Sequence, residues 1–75
     1  VNWISGTPVK GDVLSGREKD IGRLLVQGMT NSQIGSALYL SKNTVKSHLR
    51  RIFEKLDVNN RTAAAAVLLQ KGLLE

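Results

Sequence analysis

The sequence contains no cysteine. That excludes a disulfide framework, a thiolate metal site and a thiol nucleophile. Histidine occurs once, at His48, so no histidine cluster is available to hold a metal. The carboxylates Glu18, Asp20, Glu54 and Asp57 fall at no metal-binding or acid–base spacing, and no glycine-rich phosphate loop is present. These absences argue against an enzyme and give no reason to expect a metal or cofactor. The longest apolar run, Ala63 to Leu69, is far short of the ~20 residues that span a bilayer. It also lies near the C-terminus, where no secretory signal stands. No membrane partner is expected. The chain opens at Val1 and its only methionine is Met29, so a piece excised from a longer polypeptide is expected.

What the sequence does have is positive charge. Net charge is +5 over 75 residues. A basic balance in so small a domain points to a polyanionic partner, though many basic proteins bind none. The distribution is more telling than the sum. Lys42, Lys46, Arg50, Arg51 and Lys55 crowd into "SKNTVKSHLRRIFEKL" against the single Glu54, and the remainder is closer to balance.

Residues 1–13 show no helical period and contain Gly6, Pro8 and Gly11. They read as a linker or arm, with Trp3 a tethered aromatic. Residues 14–75 read as one domain. Ser15 and Glu18 form a capping box, apolar residues recur at Ile21, Leu24 and Leu25, and Gly28 supplies a stop, which predicts a helix over about 16–27. Thr30 and Gln33 repeat the box, with Met29 and Ile34 as a hydrophobic staple, predicting a second helix over about 31–38. Its apolar face is Ile34, Ala37 and Leu38. Ser41 caps a third helix over about 42–56, and Asn60 a fourth over about 61–71 that Gly72 ends. No stretch alternates with period two, so the expected fold is all-α: a compact four-helix bundle. Only Tyr39, Leu40 and Ser41 part the second helix from the third. So short a turn forces a steep crossing, as in a helix-turn-helix, although a generic bundle with a tight corner fits equally well.

A helical projection of the third helix gathers Val45, Leu49, Ile52, Phe53 and Leu56 into a core stripe. Opposite lie Asn43, Ser47, Arg50 and Glu54. Lys46 flanks that face on one side; Thr44, His48, Arg51 and Lys55 flank it on the other. A groove-reading helix needs this layout, with shoulder cations and hydroxyls on phosphates and central side chains at base edges. Exposed helix faces are commonly charged, and Lys55 and Arg51 suit the C-terminal end of the helix dipole in any case. Lys42 and Lys46 do not, because cations in the first turns are disfavoured by that dipole. Their placement argues for an anionic ligand.

Taken together, "LSGRE", "GMTNSQI", "LSKNTVKSHL", "KL" and "NRTAA" followed by "GLL" resemble the DNA-binding domain of the LuxR/FixJ/NarL (GerE-like) family of bacterial transcription regulators, over residues 14–74. The resemblance implies a four-helix bundle whose third helix enters the major groove of double-stranded DNA. It implies base contacts from Lys46, Ser47 and Arg50. Backbone contacts map onto Thr30, Asn31, Lys42, Thr44, Lys55 and Arg61, to which the projection adds Asn43, His48 and Arg51. Arg17 and Glu18 match the family's helix-one pair, where Glu18 either caps its own helix or orients a basic side chain. Gly22 stands where the family has Leu, Gly35 where it has Ala, and Tyr39 where a small residue is common. Each glycine lowers helix propensity by about 0.8–1 kcal/mol. Gly22 also removes core volume, to be filled by Phe53 or Trp3, and a positive φ at Tyr39 would be strained.

On the fourth helix Ala63, Ala66, Val67 and Gln70 form a row of mostly small side chains, although alanines are also simply good helix formers. The family commonly dimerises through this helix, which implies a weak homodimer placing two third helices in neighbouring grooves. Further partners implied by the resemblance are RNA polymerase and a receiver or ligand-binding domain outside this chain. The implied location is cytoplasmic, with the nucleoid. Two other readings stay open: the promoter-reading domain of a sigma factor, and a basic helical protein-interaction module. The "NRTAA…GLL" helix argues against the sigma factor.

Overall fold

The computed structural model describes residues 14–74. The arm over 1–13, with Trp3, lies outside them. Four helices follow in order: α1 Gly16–Val26, α2 Asn31–Leu38, α3 Lys42–Leu56 and α4 Arg61–Gln70. No strand occurs among the described residues. The expected bounds hold, except that Gln27 and Lys71 are caps that close α1 and α4 rather than members of them.

Each start is set by a side chain that satisfies an orphan amide of the first turn. Ser15 Oγ accepts from Glu18 N–H at 3.2 Å while Glu18 Oε1 accepts from Ser15 N–H at 3.0 Å. Thr30 and Gln33 exchange the same pair at 3.1 and 2.9 Å. Ser41 accepts from Thr44 N–H at 3.1 Å, and Asn60 Oδ1 from Ala63 N–H at 2.8 Å. The ends are set by left-handed residues. Gly28 has φ +88°, and α2 and α3 close on Tyr39 (φ 60°) and Asp57 (φ 58°). Aspartate tolerates that conformation; tyrosine does so at a cost.

α2 and α3 pack against each other as the helix-turn-helix, and α1 and α4 back them. The core is Leu14, Ile21, Leu25, Ile34, Val45, Leu49, Ile52, Ala64, Leu68 and Leu73. Ile21, Ile34, Val45, Ile52 and Leu68 are wholly buried. Burying side chains of this size stabilises by roughly 1.5–3 kcal/mol apiece.

Two expectations are corrected. Ala37 is exposed, and the buried neighbour of Ile34 is Gly35. A Cβ on Gly35 would stand 2.5 Å from the Leu40 carbonyl oxygen, so its bareness lets the turn fold tightly against α2. The space at Gly22 is filled neither by Phe53 nor by any described aromatic. It is filled by Leu68 and Leu74, whose methyls lie 3.3 and 2.8 Å from where a Cβ would be. Arg23 Nη2 donates to the Leu74 carbonyl at 2.8 Å, holding the C-terminal turn over the notch.

Restoring a large side chain at this notch should therefore overpack it. Gly22→Leu is expected to lower unfolding free energy by about 1–3 kcal/mol. Adding Leu74→Ala should recover part of the loss in urea or thermal unfolding. A stabilised single variant would contradict this packing.

Candidate nucleic-acid interface

The core stripe of α3 leaves its opposite face open. Lys42, Asn43, Lys46, Ser47, Arg50 and Arg51 are exposed, and Thr44 and His48 are half-buried. The three residues expected at base edges, Lys46, Ser47 and Arg50, thus share one uncovered surface. Beside it runs an open cleft of about 410 Å³. Asn31 and Arg61, from the starts of α2 and α4, line it together with Lys46 and Arg50 of α3. Leu49, Phe53 and Val58 supply apolar lining, and Glu54 is its one carboxylate. A second hollow, about 390 Å³, joins Thr30, Asn31 and Ser32 at the start of α2 to Lys42 and Arg61. The backbone-contact residues expected on three different helices therefore converge on neighbouring surfaces. Cation excess, hydroxyls and carboxamides are the donor set that phosphates take.

Two of the cations expected at the backbone, Lys55 and Arg61, already have partners inside the protein. Lys55 Nζ donates to Glu18 Oε1 at 2.7 Å, bracing α3 against α1. The Glu18 side chain is only 3% exposed, whereas that of Lys55 is 39% exposed. Burial pushes the Glu18 pKa up, but the bonds from Lys55 and the Ser15 amide, with the charges of Lys55 and Arg51, outweigh it and hold the carboxyl below its ordinary value of 4.5. Both roles foreseen for Glu18, cap and partner of a basic side chain, are filled by the same oxygen. Arg61 Nη1 donates to Asn31 Oδ1 at 2.7 Å and Nη2 to the Met29 carbonyl.

On α4, Ala66 and Gln70 are exposed, and Ala63 and Val67 half-buried. Leu69 is 65% exposed beside them. Nothing in the sequence marks Leu69 as an outward residue, because it sits in an unbroken apolar run next to the buried Leu68. Among the described residues no group of three or more His, Asp or Glu is placed to hold a metal. None of the helices is long and apolar enough to cross a membrane.

The family described as bacterial regulatory proteins, luxR family, matches residues 12–68. The chain belongs to the luxR family. It is a helix-turn-helix DNA-binding domain of a kind found in transcription regulators, and the family is one of regulators rather than enzymes. The nitrate/nitrite response regulator NarP of Escherichia coli is 46% identical over 59 residues, covering 79% of this chain and 27% of that protein. The spore germination protein GerE of Bacillus subtilis is 40% identical over 63 residues, covering 84% of this chain and 85% of its own length. The solved structure of GerE superposes with a TM-score of 0.78 at 36% identity, over 85% of this chain and 96% of that one. The response regulator ChrA superposes at 0.79 with 40% identity, over 92% of this chain and 32% of that one. The chain spans only about a quarter of the length of relatives such as NarP and the DegU regulator of Brevibacillus brevis.

The Glu18–Lys55 brace predicts a specific acid sensitivity for this luxR-family domain. A depressed carboxyl pKa contributes stability above the unfolded value and loses it as pH falls through the folded one. Melting temperature should drop as pH is taken below about 4.5, and Glu18→Gln should show less of that drop. Lys55→Ala, which strips the buried carboxylate of its cation, should cost about 1–3 kcal/mol at neutral pH. An unchanged melting temperature would show that the brace contributes nothing.

Proposed function

We propose that the domain binds specific double-stranded sites by laying α3 in the major groove, with Lys46, Ser47 and Arg50 at base edges. Thr30, Asn31, Lys42, Asn43, Thr44, His48 and Arg51 meet the flanking phosphates and fix the register. Lys55 and Arg61 add charge at the margins of this surface. The observation that carries the reading is the division of α3. Val45, Leu49 and Ile52 are buried while Lys42, Lys46 and Arg50 stand exposed, two of them in the first turns, where the helix dipole opposes cations. A face arranged against the dipole and left uncovered suits an anionic partner that is not part of the domain.

The exposed side of α4, with Ala63, Ala66, Val67 and Gln70 and the added apolar surface of Leu69, is proposed as the contact for a weak symmetric dimer. Two copies would then read half-sites in successive major grooves. The much greater length of relatives such as NarP supports a longer regulator carrying a receiver or ligand-binding domain. Such a regulator would work on the nucleoid in the cytoplasm and contact RNA polymerase there.

Selection of bound duplexes from a random pool tests the site, its half-site spacing and the dimer together. Paired half-sites one helical turn apart are expected; selection of single sites bound by strict monomers would remove the dimer. On the selected duplex, Arg50→Ala should weaken binding by about 1–3 kcal/mol and relax preference at one base pair. An unchanged site preference would remove Arg50 from the base contacts. Binding should also fall with salt, at about −0.9 in log K per phosphate neutralised. A flat response would favour a protein-interaction module instead.

A further inference from the structure

Arg61 opens α4 and Asn31 opens α2, and the fold joins them by a 2.7 Å hydrogen bond across 30 positions of sequence. A guanidinium carries donors only, so the Asn31 atom it meets must be the carboxamide oxygen. The second Arg61 arm donates to the Met29 carbonyl, two residues before Asn31, so the guanidinium spans the start of the helix and cannot swing with the side chain it grips. Asn31 is thereby held with its NH2 group turned away from Arg61. Among the described residues no acceptor takes a hydrogen bond from that NH2 group. Asn31 also shares the open cleft with Lys46 and Arg50, and the neighbouring hollow with Lys42.

We infer that Arg61 is a positioning residue. It locks the Asn31 carboxamide so that its two N–H donors face the phosphate of a bound duplex. This rests on the DNA-binding reading above and changes the role given to Arg61 within it. A free asparagine side chain presents oxygen or nitrogen alike, and an oxygen facing a phosphate is repelled. Gripping the oxygen from behind removes the wrong orientation before DNA arrives, which lowers the ordering cost of the contact. The two internal bonds occupy two of the five guanidinium N–H donors, so the salt slope decides whether the rest of Arg61 also reaches a phosphate.

The two roles differ in salt dependence. A direct arginine–phosphate contact displaces a counterion, whereas a neutral asparagine donor does not. Affinity for a mixed-sequence duplex would be measured across salt for the unaltered chain, Arg61→Met, Asn31→Ala and the double variant. Each single change is expected to weaken binding about tenfold, on the scale of one hydrogen bond to a charged group. The double variant should be no weaker than either single one, and the salt slope of Arg61→Met should equal that of the unaltered chain. A slope shallower by about 0.9 for Arg61→Met, or single effects that add in full, would overturn the inference. Should Arg61→Met fold poorly, NMR of the unaltered chain decides. The Asn31 side-chain amide resonances should shift on duplex addition while those of Gln27, on the closing cap of α1, stay in place. A stationary Asn31 amide would overturn the inference while DNA binding stands. Absence of duplex binding by the unaltered chain at low salt would overturn the DNA-binding reading and this one with it.

Discussion

The domain holds α3 by one face. Val45, Leu49 and Ile52 are 0–5% exposed, and they are the apolar anchor of a helix whose other side carries the exposed Lys42, Lys46, Ser47 and Arg50. At roughly 1.5–3 kcal/mol for each buried side chain of this size, that stripe outweighs any single polar contact of the helix. The remaining elements follow from it. Ile34 of α2, Ile21 and Leu25 of α1, and Ala64 and Leu68 of α4 fill the space behind the stripe, and none of them reaches round to the polar face.

Burial holds the helix in place but is poor at fixing its orientation, because it has no direction. Two polar ties supply that. The Glu18–Lys55 pair fastens the later half of α3 to α1, and the Arg61–Asn31–Met29 set fastens α4 to the start of α2. Each is worth on the order of 1–3 kcal/mol at most, less where solvent reaches it, as at Lys55. Their geometry matters more than their energy. Together they clamp the helix-turn-helix at opposite ends, leaving Lys46, Ser47 and Arg50 on the surface between. They also divide the cations into two kinds. Lys42, Lys46, Arg50 and Arg51 stand exposed, whereas Lys55 and Arg61 are bonded within the fold and shape the surface from its edges.

Much of this was legible in the sequence, because the signals are local. Capping residues satisfy amides within their own turn, so Ser15, Thr30, Ser41 and Asn60 mark all four helix starts. The 3.6-residue period of α3 separates its core stripe from its polar face without knowledge of any neighbour. What escaped depends on contacts between distant residues. Ala37 and Gly35 lie on adjoining faces of α2, and only the close return of Leu40 decides which is buried. Leu74 filling the notch at Gly22 joins residues 52 apart, and the Arg61–Asn31 bond joins residues 30 apart. No spacing rule reaches that far. Leu69 is hidden for a different reason: an apolar run has no contrast from which a facing direction can be read. The proposed base and phosphate contacts rest on the family resemblance more than on spacing, and the luxR match over residues 12–68 bears on the family alone.

The central claim is that one face of α3 meets DNA while the opposite face stays buried. Backbone amide shifts of the isotopically labelled chain, recorded as a selected duplex is added, test it most directly. The account predicts that the largest changes fall on α3 from Lys42 to Arg50 and at the start of α2. It predicts small changes at Ile21, Leu25 and Leu68 behind the stripe. Changes confined to the outer face of α4, or spread through the core with α3 unmoved, would contradict it.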